Sequence, residues 1–175
     1  ASGGSFSEQP ALCDGSGGSA LSDLACIIPM ASLTSAPLSL PIGTLIRFQV
    51  RARNARAWGL ASPANAAGVL AQGPPGAMAA PFTSAAQTTE AAVYAEWSPL
   101  STFAATGGSA VTSYHLQWDA GAGDGSWLDV VGASPASLAT SVRLTSAIVS
   151  GTSYVFRVRA SNLHGWGPWS PASSI

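Results

Sequence analysis

Residues 151–162 read Gly-Thr-Ser-Tyr-Val-Phe-Arg-Val-Arg-Ala-Ser-Asn, and residues 43–54 repeat them as Gly-Thr-Leu-Ile-Arg-Phe-Gln-Val-Arg-Ala-Arg-Asn. The match continues without a gap through Ala57-Trp-Gly-Leu-Ala-Ser-Pro-Ala64 and Gly165-Trp-Gly-Pro-Trp-Ser-Pro-Ala172. A self-similarity of this length at a constant offset indicates one structural module used twice.

Apolar and polar residues alternate within the second copy, which is the pattern of half-buried β-strands. The longest such run places Tyr154, Phe156, Val158 and Ala160 on one face and Val155, Arg157 and Arg159 on the other. Glycine-rich turns at 106–109, 121–126 and 150–152 separate the strands. Short strands at this spacing predict an all-β, antiparallel sandwich.

A short segment rich in proline and glycine divides the two copies. Residues 73–80 read Gly-Pro-Pro-Gly-Ala-Met-Ala-Ala, and Pro81 follows. Proline cannot donate to a strand ladder and stiffens the chain, so this segment is predicted to be a linker. The predicted domains are therefore residues 1–72 and residues 81–175.

Four separated motifs give the second copy a family resemblance. They are Trp97, Gly107-Gly-Ser-Ala-Val-Thr-Ser-Tyr114, Gly151-Thr-Ser-Tyr154 and Gly165-Trp-Gly-Pro-Trp-Ser-Pro171. In this order they resemble a fibronectin type III domain spanning 81–175. The resemblance implies tandem immunoglobulin-like sandwiches, with Tyr154 as the tyrosine corner near the start of strand F. It places the strands near 82–86 (A), 92–97 (B), 111–118 (C), 127–131 (C′), 141–145 (E), 154–161 (F) and 171–175 (G).

The first copy departs from this pattern. Gly3-Gly-Ser-Phe6 resembles the start of the second motif, so residues 1–72 are expected to hold strands C to G and to lack A and B. Ile46 stands at the position of Tyr154, and the core faces of Phe48, Val50 and Leu40 would be open. Three interpretations stay open: a piece of a longer tandem array, a polymer subunit completed by a neighbour's strands, or an atypical complete domain.

The two cysteines, Cys13 and Cys26, flank a Gly/Ser-rich stretch. A disulfide between them would stabilise the fold by about 3 kcal/mol and would indicate an oxidising compartment. The alternative is a pair of buried thiols in a reducing one.

The segment Trp166-Gly-Pro-Trp169-Ser170 lies beside Arg157 and Arg159 in the predicted sheet. The pattern resembles the Trp-Ser-x-Trp-Ser signature of cytokine-receptor type III domains, which implies a ladder of stacked guanidinium and indole groups. The same resemblance makes Trp166 a candidate for C-mannosylation. Within the first copy Trp58 and Arg51 persist but Ala61 replaces the second tryptophan, so a shorter ladder is expected there.

Composition and the remaining polar residues argue against several classes of function. All seven basic residues are arginine, against eight acidic ones, and only 9% of the chain is charged, which argues against nucleic-acid binding and a polybasic membrane anchor. No apolar run is long enough for membrane insertion. His115 and His164 are expected to be solvated side chains rather than catalytic groups, and Asp119, Asp124 and Asp129 lack the spacing of a calcium loop. No cofactor, metal or catalytic site is predicted.

The expected function is that of a non-enzymatic, extracellular building block of a coat, adhesin or filament, which self-associates and uses other surface proteins or glycans as further partners. The absence of Asn-x-Ser/Thr sequons excludes N-glycosylation, and O-linked sugar on Ser and Thr is a further hypothesis. A ligand-binding receptor module is one alternative. A carbohydrate-binding accessory domain, with Tyr94 or Trp127 as a sugar platform, is another.

Overall fold

Residues 6–15, 25–84 and 86–174 are described by the structure, which is a computed structural model. The chain divides into a first unit, Ala1–Gln72, and a second unit, Gly73–Ile175. Antiparallel strands dominate the described residues and helix is scarce, so the all-β prediction is confirmed. None of the helix in these ranges is long and apolar enough to cross a membrane.

The first unit is built around one antiparallel pair. Helix α1 (Met30–Thr34) precedes strands β1 (Leu45–Ile46) and β2 (Val69–Leu70), which pair Leu45 with Leu70. The pairing continues irregularly toward the turn, ending with a bond from the Asn54 N–H to the Ala57 carbonyl. We call residues 45–70 the first ribbon; they correspond to strands F and G of the repeat.

The rest of the first unit differs from the prediction. Over residues 6–15 and 25–43 the structure forms helix α1 and turns, and strands C, C′ and E are not formed there. Pro29, Pro37 and Pro41 interrupt the stretch where strand E was expected, because proline cannot donate to a ladder. The core of this unit is correspondingly small. Its buried members are Leu33, Ile46 and Ala71. The expectation that rests on Gly3–Ser5 lies outside the described residues.

The second unit contains two antiparallel sheets. One has the order β3 (Phe82–Thr83), β4 (Val93–Glu96), β7 (Ser141–Leu144). The other has the order β10 (Ser173–Ser174), β8 (Val155–Asn162), β5 (Ser113–Trp118), β6 (Leu128–Val131), and β9 (Gly165–Trp166) also pairs with β8. These are the seven predicted strands A to G with an added turn strand. Ala85 and Ile175, at the predicted A and G strands, lie outside the described residues.

Period-two alternation positions the core of the second unit. The inward residues of β8 are fully buried, with Phe156, Val158 and Ala160 each at 0% exposure. They pack with Leu116 and Trp97 in one continuous cluster. Burial of these side chains is the main source of stability of the unit.

Tyr154 bonds the turn that precedes it. Its hydroxyl accepts a hydrogen bond from the Val149 N–H at 2.7 Å and donates to the Ala147 carbonyl at 3.3 Å. The ring is 2% exposed and stacks on Trp118 with centroids 5.4 Å apart. The residue therefore ties the turn before β8 to the core.

The segment 73–80, predicted as a linker, packs along the second unit. Met78 is 3% exposed and belongs to the core cluster. The Gly73 N–H donates to the Gly107 carbonyl at 2.9 Å, and Asn162 Nδ2 donates to the Gly73 carbonyl at 2.8 Å. A Cβ on Gly167 would lie 2.4 Å from the Pro75 carbonyl oxygen, so glycine there permits the close approach. The second unit begins at Gly73 rather than at residue 81.

Candidate functional surfaces: the first ribbon and the ladder

The first ribbon reproduces several hydrogen bonds of the second unit at equivalent residues. The Val50 N–H donates to Ser62 Oγ at 3.1 Å, and the equivalent Val158 N–H donates to Ser170 Oγ at 3.0 Å. The Gly59 N–H donates to the Ala52 carbonyl at 2.8 Å. Its counterpart, Gly167 to Ala160, has the same length. The repeated sequence therefore encodes one local ribbon geometry in both units.

The two ribbons differ sharply in burial. Phe156 and Val158 are each 0% exposed, whereas the equivalent Phe48 and Val50 are 43% and 72% exposed. Leu60, near the tip of the first ribbon, is 97% exposed. The face that forms the core in the second unit is thus open on the first ribbon.

One edge of the first ribbon is also unpaired. In the second unit Arg157 and Arg159 of β8 pair with strand β5. Within residues 6–15 and 25–72, the backbone groups of the equivalent Gln49 and Arg51 have no hydrogen-bond partner. An unpaired edge with an open apolar face is a ready template for strand addition.

A disulfide and an ion pair link residues 6–15 to later parts of the first unit. A disulfide joins Cys13 to Cys26, with Cα atoms 6.0 Å apart. Leu12, beside it, packs against the small core. Glu8 forms an ion pair with Arg51 of the first ribbon.

The ladder on the second unit is a row of five stacked groups. Arg157 lies over Trp127 at 4.0 Å and over Trp169 at 4.4 Å, measured from the guanidinium carbon to the ring centroid. Arg159 lies over Trp169 at 4.2 Å and over Trp166 at 4.7 Å. Because the two arginines are two residues apart on β8, their side chains share its outer face. We call Trp127, Arg157, Trp169, Arg159 and Trp166 the ladder.

The first ribbon carries a shorter version of this row. Arg51 and Arg53 lie over Trp58 at 5.4 and 5.5 Å. Ala61 occupies the position of Trp169, so no second ring is available to continue the stack.

A layer of polar side chains from β5 and β6 supports the ladder. Gln117 Oε1 accepts hydrogen bonds from Arg157 Nε at 3.0 Å and Nη2 at 2.7 Å. Asp129 Oδ1 accepts from Gln117 Nε2 at 2.8 Å. Asp129 also lies 2.7 Å from Nε2 of His115, the next residue of this layer.

His115 corrects the expectation of a solvated side chain. It is 4% exposed, and its ring lies 4.9 Å from Trp169 and 5.5 Å from Trp166. Arg159 donates to its Nδ1 from Nη2 at 3.3 Å. A guanidinium has only donors, so Nδ1 accepts and the proton sits on Nε2, which donates to Asp129. His115 therefore positions Arg159 in the ladder.

The register of β5 and β8 brings these groups together. The alternation of apolar and polar residues along each strand already indicated on which face each group lies. His115 and Gln117 face the same side as Arg157 and Arg159, because directly paired residues share a face. The sequence interpretation found both arginines and two of the tryptophans, and missed Trp127 and the supporting layer as members.

Burial, neighbouring charges and hydrogen bonds shift the pKa values of the ionisable groups at the ladder. Burial lowers the pKa of Arg157, and the like charge of Arg159 lowers it further. Burial also lowers the pKa of Arg159, while Asp129 acts in the opposite direction. The pKa of Asp129 is held below its usual value by hydrogen bonds from Gln117 and His115.

The other carboxylates of this unit organise turns. Asp119 is 4% exposed and accepts N–H bonds from Gly121 and Val155, both at 2.9 Å, and from Gly123 at 3.3 Å. Asp124 accepts from the Ser126 N–H. No group of acidic, histidine or cysteine side chains able to hold a metal occurs in the parts of the chain that the structure describes.

Asp119 predicts a specific loss of stability in acid. Burial would raise the pKa of its carboxyl, but the N–H donors outweigh burial and lower the pKa below the usual 3.8. A lowered pKa adds stability above the unfolded value, and this is lost as pH falls through the folded value. Between pH 7 and pH 2 we expect Asp119→Asn to lose less unfolding free energy than the wild type, measured by urea denaturation. Equal slopes of unfolding free energy against pH for the two proteins would contradict this prediction; Glu90→Gln, at an exposed carboxylate outside this turn, is the control.

Residues 79–175 match the profile of the Fibronectin type III domain, and this match spans more than half of the chain. The chain belongs to the fibronectin type III family. The two-sheet arrangement of the second unit and its buried Trp97 agree with that assignment. Fibronectin type III domains are structural and binding modules.

Solved structures include fibronectin type III domains similar to this one. The sixth such domain of human fibronectin type III domain containing protein 3 is 24% identical, with 58% of this chain and 83% of that chain covered and a TM-score of 0.46. Titin domains A168–A170 are 21% identical, with 75% of this chain and 40% of that chain covered and a TM-score of 0.48. A comparison with curated proteins finds no match.

C-mannosylation stays a prediction. Trp166 is 37% exposed at the end of the ladder, with Arg159 on one side of its ring. The likeness to the cytokine-receptor signature likewise rests on the residues alone.

Proposed function

We propose that this protein is a non-enzymatic, extracellular structural module of a coat, adhesin or filament, assembled through its fibronectin type III units. The first unit binds an extended strand of a second copy along the first ribbon. The added strand pairs with the free edge at Gln49 and Arg51 and covers Phe48 and Val50. The single observation that carries the proposal is the contrast between equivalent hydrogen bonds, such as those of Val50 and Val158, and opposite burial in the two units.

The first ribbon is expected to be more stable with a bound third strand than alone. Two strands alone bury little surface and are marginally stable in water, so a third strand adds both hydrogen bonds and burial. Fully burying an exposed apolar side chain contributes about 1.5–3 kcal/mol. Val50, at 72% exposure, gains most of this when it is covered, and Phe48, at 43%, gains less than half. In the second unit β5 fills this position against β8. A strand with apolar side chains in alternation would fit the open face.

An extracellular location is part of the proposal. The disulfide between Cys13 and Cys26 fits an oxidising compartment. With only 9% charged residues, close packing between copies requires little desolvation of ions.

The test is self-association of the full chain. We expect concentration-dependent oligomers by sedimentation velocity and ordered particles or fibres by electron microscopy. Val50→Ser is expected to weaken association about tenfold or more, because it removes apolar area from the contact. Gln49→Pro removes one edge N–H that has no partner among residues 6–15 and 25–72, and is expected to do the same.

The matched control is Leu163→Ser. Leu163 is 71% exposed, like Val50 at 72%, but lies in the turn before β9 of the second unit. Its replacement is expected to leave association unchanged. A wild-type chain that stays monomeric at millimolar concentration would contradict the proposal. Equal loss of self-association in Leu163→Ser and Val50→Ser would also contradict it.

A further inference from the structure

The ladder holds two guanidinium groups with most of their hydrogen-bond capacity unused. Each guanidinium has five N–H donors, and two on each are taken by Gln117 or His115, which leaves three. Neither acceptor is a carboxylate. Across the described residues, no carboxylate bonds directly to Arg157 or Arg159.

Part of this unused capacity reaches water. Among described side chains, the only buried polar atom without a partner is Trp97 Nε1, so Nη1 of Arg157 and Nη1 of Arg159 are not buried. Both guanidiniums are clamped between indole rings and held from below. A ligand that reaches them therefore meets donors that are already oriented, and little side-chain entropy is lost on binding.

The position of the ladder decides what kind of ligand it suits. Strand β8 pairs with β5 on one side and with β9 and β10 on the other, so no free backbone edge lies beneath the ladder. A peptide cannot add here as a strand. The surface offers guanidinium edges and aromatic groups in a line, with half-buried Trp127 at one end and Trp166 at the other, and the exposed carboxylate of Asp129 lies in the supporting layer.

We propose that the ladder is a binding site for an acidic polysaccharide. Sulfate or carboxylate groups accept hydrogen bonds from the outward N–H groups of Arg157 and Arg159. Trp166 and Trp127, at the two ends, contact the apolar faces of neighbouring sugar rings. Guanidinium forks bind such anions in a bidentate manner, and stacking between rings keeps the forks in place.

Asp129 sets the electrostatic balance of the site. Its side chain is 56% exposed and bonded to His115 and Gln117, so one negative charge partly offsets two positive ones. The net positive charge is small, and the site is expected to prefer a chain with repeated anionic groups over a single ion. This proposal does not rest on strand addition, because it concerns the second unit alone.

The experiment measures binding of the full chain to defined oligosaccharides by isothermal titration calorimetry. The probes are heparin fragments, hyaluronan fragments, neutral dextran and poly-glutamate. We expect binding to heparin or hyaluronan fragments and none to dextran. Arg157→Gln and Arg159→Gln are each expected to weaken it about tenfold. Arg143→Gln removes an exposed arginine of β7, in the other sheet, and is the matched charge control.

A second measurement needs no variant. Heparin or hyaluronan fragments added to the wild-type chain should shift the indole N–H signals of Trp127, Trp166 and Trp169 in NMR spectra, and leave the buried Trp97 unshifted. Failure of both acidic polysaccharides to bind would overturn the proposal. So would equal affinity for poly-glutamate, or equal loss of binding in Arg143→Gln. Shifts confined to Trp58 would also overturn it, because they would place the anion on the first ribbon.

Discussion

Replacing Phe156 by alanine is expected to lower the free energy of unfolding of the second unit by about 3–5 kcal/mol. The ring is fully buried in the core cluster, so truncation loses the transfer free energy and leaves a cavity. Phe48→Ala, at the equivalent position of the first ribbon, is expected to cost less than about 1 kcal/mol, because that ring is already 43% exposed.

Urea denaturation of the monomer, followed by tryptophan fluorescence, measures both changes in one chain. Trp118 lies 6.0 Å from Phe156 between ring centroids and reports on the second unit. A Phe48→Ala loss as large as that of Phe156→Ala would mean that the first ribbon is covered within the monomer. That result would remove the basis for strand addition.

Gly132→Ala is expected to destabilise the second unit by about 4 kcal/mol or more, or to prevent its folding. Gly132 has a φ of +83°, and a Cβ built there would lie 1.7 Å from the Tyr114 carbonyl oxygen. Backbone atoms of β5 cannot give way without breaking the pairing with β6 or β8. The Gly132 carbonyl also accepts a bond from Ser113 Oγ at 2.8 Å, which ties this turn to the same strand.

Gly123→Ala separates steric clash from backbone strain. Gly123 also has a positive φ, +65°, but nothing lies within 4 Å of its would-be Cβ. Its substitution is expected to cost only the left-handed strain, about 1–2 kcal/mol. Thermal unfolding of the two variants gives the comparison, and similar melting temperatures would show that the space at Gly132 is larger than described.

The second unit could be predicted closely from its sequence because its signals agree at every level. The alternation around Phe156 gave β8 to within a residue, and glycine turns bounded the other strands. The fold of the first unit could not be predicted closely, because the repeat covers only strands F and G. Before Gly43, prolines interrupt the chain and few apolar residues are available to form the buried face of a sheet. Helix α1 forms there instead of strands.

The segment before β3 shows the same limit. Its prolines predict a stiff linker, and the sequence does not show that this segment packs on the second unit. Contacts between Gly73 and Asn162, far apart in sequence, place it on the second unit. The supporting layer of the ladder was missed for a related reason. His115 and Gln117 gain their roles only from the register with β8, which no single strand contains.

Asn162 has a mechanical consequence. Its Nδ2 donates to the carbonyls of Gly73 and Thr106, each at 2.8 Å, from the end of the longest strand. Tension applied to the chain at Gln72 reaches these bonds and the anchored Met78 before it reaches β3. The short β3–β4 edge is thereby shielded from load, and the central strand of the larger sheet takes the pull first.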